Sequence, residues 1–259
     1  MWRNPFDGAR AKIARSHQHF KELAAAQATF GKVQSLAIEL EPQDNGDIKA
    51  VAAIKALPSL AQCAIVADIV SGFRSSLDIA VSQACRARGQ TDAKLLNKTY
   101  FAFGGSEQDW ENNLGNRMAG ADQVIRDVVR SFKPWRENGN AMLYALSKVC
   151  ADDKHVDLVP MAARVGEMQI DGLTMKSPDG KGVGFRGALP VWGSHEKVEV
   201  FTILSPAEVE ITGPCILEAK FGFGDTCHAV SGKPVIPVLN EMGAMCEQIV
   251  EAIEAASKL

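Results

Sequence analysis

Apolar residues near the start of the chain recur at helical spacing: Ile13, Phe20, Leu23 and Phe30 share one face. Asp7 stands where a helix N-cap belongs and Gly31 where a C′ stop belongs, so the pattern predicts a first helix between them. The next two segments alternate instead. KVQSLAIELE (32–41) and DIKAVAAIKA (47–56) read as strands, and PQDNG (42–46) between them is turn chemistry, which predicts a hairpin. Pro58 and Ser59 then open a long helix whose apolar face is Val66, Ile69, Phe73, Leu77, Ala80 and Ala84, ending at Gly89.

A loop with strand character follows at KTYFAFGG (98–105). Ser106 and Asp109 form a capping-box-like start for a third helix. Trp110, Leu114, Ala121, Ile125, Val128 and Phe132 line one side of it as far as the break at Pro134. Asn140 caps a fourth helix that turns Leu143, Leu146 and Cys150 inward.

After Asp153 the pattern changes to short β-rich runs, VDLVPMAARV, KVEVFTIL, AEVEIT and CILEAKFGF, separated by turn segments such as SPDGKGVG and SGKP. No segment between the runs is long enough for a helical crossover, so the strands are expected to pair antiparallel. Pro237 starts a last helix. Its Leu239, Met242, Cys246, Ile249, Ile253 and Ala256 form a narrow seam of alternating three- and four-residue steps, with Glu241, Glu247, Glu251 and Glu254 off it and Lys258 in reach of Glu254. The expected cover for that seam is the chain's own first helix. The same helix of a second subunit is the alternative, so the chain is expected to be a monomer or a homodimer.

The pattern as a whole predicts one α+β domain over residues 1–259. It has a helical layer of about five helices, an N-terminal hairpin and a C-terminal antiparallel β region. A composition shift near residue 155 marks a sub-boundary, with a helical part (1–155), a β-rich part (156–233) and a closing helix (237–259).

Composition adds limits. Hydrophobic residues make up 46% and charged residues 23% of the 259, ordinary values for a globular protein. A net charge of −3 gives no concentrated basic field, so nucleic-acid binding over a broad surface is not supported. The opening MWRNPFDGARAK lacks the apolar core of a signal peptide, and nowhere is there an apolar run long enough for a membrane span. Cys63, Cys85, Cys150, Cys215, Cys227 and Cys246 include no CxxC pair; they read as reduced, mostly buried thiols of a cytoplasmic protein. A zinc site of Cys215, Cys227 and His228 would lack close-spaced ligand pairs, so neither a metal nor a cofactor is expected.

Two clusters carry candidate chemistry. In the long helix, Ala67, Ser71, Arg74, Asp78, Ser82 and Cys85 form a small and polar stripe beside the apolar face. Arg74 and Asp78 are one turn apart. They read either as a structural ion pair fixing helix packing or as an anion-binding or catalytic Arg with its partner. The second cluster is CADDKH (150–155) at the end of the fourth helix. Lys154 and His155 suit a helix C-terminus, and Asp152, Asp153 and His155 also supply acid and base within four residues. His17 and His19, two apart on a helix, face different ways, and His195 lies in a turn. GKGVG (180–184) lacks the Lys-Ser/Thr of a phosphate loop and reads as a hairpin turn, while GxSxG and HExxH are absent.

Together the two clusters resemble a widespread group of uncharacterised bacterial proteins. In that group a long helix carries an NLRSALDH-like motif and a later helix ends in a DKHR-like motif followed by strands. The motifs here are GFRSSLDI (72–79) and DKHV (153–156), with FAFGGSEQDW (101–110) and AKIARSHQHFKEL (11–23) also similar. The resemblance covers most of the chain and implies a fold more than a function. The group's motif in turn has the spacing of the Arg-to-His signature of HEPN-type helical ribonucleases. This chain departs from it, with Ile79 where the His would stand and Gly72 in place of Asn. Losing a general acid/base typically removes a factor of about 10²–10⁴ in rate, so a HEPN-like phosphodiesterase on this scaffold is expected to be inactive.

The resulting expectation is a non-catalytic protein that binds a small ligand or a protein partner in a polar cleft of its helical part, lined by Arg74, Asp78, Asp153 and His155. A ribonuclease-related protein is the alternative.

Overall fold

The computed structural model describes residues 4–33, 38–53, 57–155, 159–170, 173–176, 184–187, 191–192, 197–204, 208–212 and 215–258. Among them are seven helices, a hairpin near the N-terminus and an antiparallel β region later in the chain. The architecture is α+β. The helices are α1 (Asp7–Val33), α2 (Leu60–Ala87), α3 (Ala93–Leu96), α4 (Glu107–Arg117), α5 (Gln123–Ser131), α6 (Ala141–His155) and α7 (Val235–Ala256). None of the described helices is long and apolar enough to cross a membrane.

The chain divides into two compact units. The first comprises residues 1–23, 63–159 and 236–259; the second comprises 24–62 and 160–235.

In the first unit, α2 carries a broad buried face. Val66, Ile69, Val70, Phe73, Leu77, Ala80, Val81 and Ala84 are all inside, so the predicted face is wider than one stripe. Ser59 starts this helix: its Oγ accepts the Gln62 N–H at 3.3 Å and Gln62 Oε1 accepts the Ser59 N–H at 2.8 Å, a reciprocal capping box. Helix α1 crosses α2 at Gly72. A Cβ there would overlap Ser16 Oγ, the buried hydroxyl that donates to the Ile69 carbonyl at 3.1 Å. Every seam residue of α7, from Leu239 to Ala256, is buried within the chain.

Helices α3, α4 and α5 account for the difference from the five helices expected. The apolar spacing from Trp110 to Phe132 is continuous, yet the chain breaks into α4 and α5. Asp122 opens α5 by accepting the Ile125 N–H at 3.1 Å. The connection is tied down by the Thr99–Met118 bridge and by the Gly120 N–H, which donates to Thr99 Oγ1 at 2.9 Å. Helix α3 is a single turn capped by Asp92. Helices α4 and α6 begin where expected, with Ser106 Oγ accepting from Asp109 N and Asn140 Oδ1 accepting from Leu143 N.

The second unit holds the strands: β1 (Ile38–Pro42), β2 (Ile48–Ala53), β3 (Met161–Ile170), β4 (Leu173–Lys176), β5 (Gly184–Gly187), β6 (Val191–Trp192), β7 (Lys197–Leu204), β8 (Glu208–Ile211) and β9 (Cys215–Phe223). All named pairings are antiparallel, in sheets ordered β1-β2-β7-β5, β6-β3-β9 and β4-β8. The PQDNG segment closes the β1–β2 hairpin: the Gln43 N–H donates to the Asp47 carbonyl at 2.8 Å and the Gly46 N–H returns to Gln43 at 3.0 Å. Ala50, Ala52, Ala163, Val200, Phe201 and Ile203 form the core of this unit.

Two details correct the sequence expectation. Gly31 does not stop α1, which continues through Lys32 to Val33, so the first strand starts later than residue 32. The glycine is there for close approach: a Cβ would stand 3.1 Å from the Ala219 carbonyl of β9. The short strands β4, β5 and β6 were not foreseen. Residues 177–183, most of the expected GKGVG turn, lie outside the described residues, as does His195.

Candidate functional site

Arg74 and Asp78 lie on the same face of α2, with 18% and 27% of their side chains exposed. Their guanidinium and carboxylate are joined directly through Nη1 and Oδ1. Arg74 Nη2 also donates to the Phe101 carbonyl at 3.1 Å, and Asp78 Oδ1 accepts the Phe101 N–H at 2.8 Å. The pair therefore bonds both main-chain polar groups of a residue that is itself buried. The Arg74 guanidinium lies 4.6 Å from the centroid of Phe103, within cation–π range. Trp110 Nε1 donates to the Ala102 carbonyl at 3.1 Å and completes the anchoring of segment 101–103. The pair is thus braced by the main chain of this loop.

Asp153 and His155 occupy the last turn of α6, but the side chains of residues 152–155 lie outside the described residues. Asp152 and Lys154 share that position. Convergence of the two clusters is therefore not described by the structure.

A concave site that sequence reasoning did not single out lies in the first unit, between α1 and α7. It is a groove of about 270 Å³ lined by Arg10, Ile13, Ala14 and His17 on α1 and by Glu247, Val250 and Glu251 on α7. Arg10, Ala14 and His17 follow the i, i+4, i+7 spacing of one helix face, and so do Glu247, Glu251 and Glu254. The two rows run antiparallel. Arg10 pairs with Glu254, and His17 Nδ1 stands 3.6 Å from Glu247 Oε1, an ion-pair rather than hydrogen-bond distance. The His17 ring packs edge-on against Phe73 of α2, with centroids 5.8 Å apart, so both ends of the groove are fixed.

Glu254 is the buried end of this ladder. It accepts the Asn4 amide at 2.9 Å, receives Arg10, and lies 3.4 Å from Lys258 as the i,i+4 spacing suggested. The Asn4 hydrogen bond, with Arg10 adding to it against the cost of burial, holds its carboxyl below the usual Glu range. Glu251 differs. Among the described residues it has neither a hydrogen-bond partner nor an ion pair, and the residue across the groove in its rung is Ala14. Ile13 and Val250 form a buried apolar floor beneath it.

The described thiols offer no nucleophile. Cys63, Cys85, Cys150, Cys227 and Cys246 are all buried. Burial, with Asp122 nearby, pushes the Cys85 thiol up to about 11, and burial raises Cys246 further despite Arg74. Among the described residues no group of His, Cys, Asp and Glu is arranged to hold a metal ion. Of the conceivable zinc ligands, Cys227 is buried, His228 is exposed and the Cys215 side chain lies outside the described residues.

No family model matches the chain, and no curated protein or solved structure is significantly similar to it.

Proposed function

We propose that this protein acts by binding, not by catalysis, and that its helical unit holds a small ligand in the groove between α1 and α7. The observation that carries this reading is the groove itself. It is a cavity of about 270 Å³ with an apolar floor and charged walls, flanked at one end by the Arg10–Glu254 ion pair and at the other by the His17–Glu247 contact. Small-ligand sites combine these features, an apolar body with a few fixed polar groups. The volume lies just below the range of about 300–1,000 Å³ for drug-sized ligands, which suits a ligand of few heavy atoms.

The chemistry elsewhere in the unit supports binding over turnover. A phosphodiesterase of the helical type needs an Arg free to face a phosphate. Arg74 directs Nη1 to Asp78 and Nη2 to the Phe101 carbonyl, and its guanidinium carbon lies 4.6 Å from the Phe103 ring centroid. Thiols pushed upward by burial are poor nucleophiles at neutral pH.

The test is a thermal-shift screen of small cations, anions and neutral molecules against the wild type and Ala14→Trp, whose indole would fill the groove. Ligands of the groove raise the melting temperature of the wild type and leave that of the variant unmoved. A ligand response identical in the two proteins would place binding elsewhere and sink the proposal.

A further inference from the structure

The ladder across the groove has three rungs, and the middle one lacks its cation. Arg10 meets Glu254 and His17 meets Glu247, but at the position between Arg10 and His17 on that face α1 offers Glu251 only Ala14. Arg10 is matched by Glu254, which leaves Glu247 and Glu251 facing the cavity with only the imidazole of His17 against them. Two carboxylates against a single imidazole leave the cavity wall with excess negative charge over a floor of Ile13 and Val250. An anion placed there would meet two carboxylates. A neutral apolar molecule would use the floor and gain nothing from either carboxylate. A cation with a short hydrocarbon body satisfies both surfaces.

We infer that the ligand of this groove is a small alkylammonium ion, with its hydrocarbon chain on Ile13 and Val250 and its charged nitrogen between Glu247 and Glu251. The inference rests on the binding role proposed above and names the ligand's chemical class. An ammonium has three donors in a compact head, enough to engage two carboxylates one helical turn apart. The occupant is a free small molecule, because the cavity is matched to a few heavy atoms and not to a folded surface. Binding adds the missing third rung between α1 and α7.

The experiment titrates the full chain with n-butylammonium chloride, using sodium butyrate and butanol as anionic and neutral matches. Calorimetry and melting temperature are both read. Butylammonium is expected to bind and to raise the melting temperature, with butyrate and butanol at least tenfold weaker. Glu251→Gln should weaken butylammonium at least tenfold, while Glu241→Gln, on an exposed α7 position off the groove, should leave it unchanged. Ala14→Lys carries a tethered ammonium opposite Glu251. It should melt higher than the wild type without ligand and respond to none.

The outcomes separate the two readings. Equal binding of butanol and butylammonium, lost in Ala14→Trp, overturns the ammonium class and leaves the groove as a ligand site. Undiminished butylammonium binding in Glu251→Gln also overturns the class. Binding of every probe that survives Ala14→Trp, or no binding by any probe, overturns the ammonium proposal outright. Ligands of other classes lost on Ala14→Trp in the wider screen would then be what keeps the groove itself.

Discussion

Replacing Asp78 with alanine should destabilise the helical unit far more than a surface ion pair would. Its carboxylate Oδ1 receives both the Arg74 guanidinium and the Phe101 N–H, and Phe101 is 1% exposed. Alanine leaves that N–H buried without a partner, which costs about 1–3 kcal/mol. It also removes an ion pair that is mostly but not fully sheltered, worth up to about 1 kcal/mol at this exposure. The expected loss is about 1–4 kcal/mol. Asp78→Asn keeps an oxygen for the Phe101 N–H and loses only the charge, so it should cost about 1 kcal/mol. In an Arg74→Met background the cost of Asp78→Ala should fall by about 1 kcal/mol, the coupling between the two side chains.

Urea unfolding followed by tryptophan fluorescence measures this locally. Trp110 bonds the Ala102 carbonyl and lies 5.6 Å, centroid to centroid, from Trp135 in the same unit. Its environment changes when segment 101–103 is released. A loss below about 0.5 kcal/mol for Asp78→Ala, the range of ordinary surface substitutions, would refute the anchoring role. Equal losses for alanine and asparagine would show that the Phe101 bond contributes nothing.

Three further outcomes are expected. Gly72→Ala should cost about 1–3 kcal/mol through overpacking against Ser16, and Ser16→Ala should recover part of that loss in the double variant, as urea unfolding would show. Because the folded-state pKa of Glu254 is depressed, its stabilisation is present above the unfolded-state value of about 4.3 and is lost as pH falls through the folded one. Glu254→Gln should accordingly flatten the acid limb of stability against pH between about 5 and 3. A thiol reagent at neutral pH should leave Cys63, Cys85, Cys150, Cys227 and Cys246 unlabelled until the chain unfolds, as mass spectrometry of the labelled peptides would read.

Three helix starts were legible because capping is local. Ser59, Ser106 and Asn140 each bond a main-chain N–H three residues on, and nothing distant is needed to foresee it. The hairpin was legible for the same reason. Gly31 misled because a glycine that ends a helix and one that admits a neighbouring strand look alike in one sequence; the Ala219 carbonyl that demands it is nearly 190 residues away. The α4–α5 break was hidden because apolar spacing runs across it, and only the tie from Thr99 to Met118 and Gly120 forces the turn. The Arg74–Asp78 pair was visible as a helical spacing. Its real partner is main chain, which carries no side-chain signature and so could not be found by residue type. The charges of the groove were also visible, but as the solvent faces of two separate helices. They become a site only when α1 and α7 are docked antiparallel, a fact of tertiary structure.

An unpaired glutamate on a helix surface means little alone, since most proteins leave such stabilisation unused. The case of Glu251 is carried by its neighbours. On either side of it the same two helices have placed complementary groups, and Glu254 has gathered three donors where burial makes a lone charge costly. A single substitution at position 14 would have completed the row at a gain of about 0.2–1 kcal/mol. The chain instead has the small side chain there, and the space so opened lies above apolar residues, not above other charged groups. Local departures from an otherwise consistent pattern concentrate where a protein has something to bind. Ala14→Lys therefore discriminates: on this reading stability rises and ligand response disappears together. A variant that gained stability and still bound ligand in the groove would show that the gap in the ladder is incidental to binding.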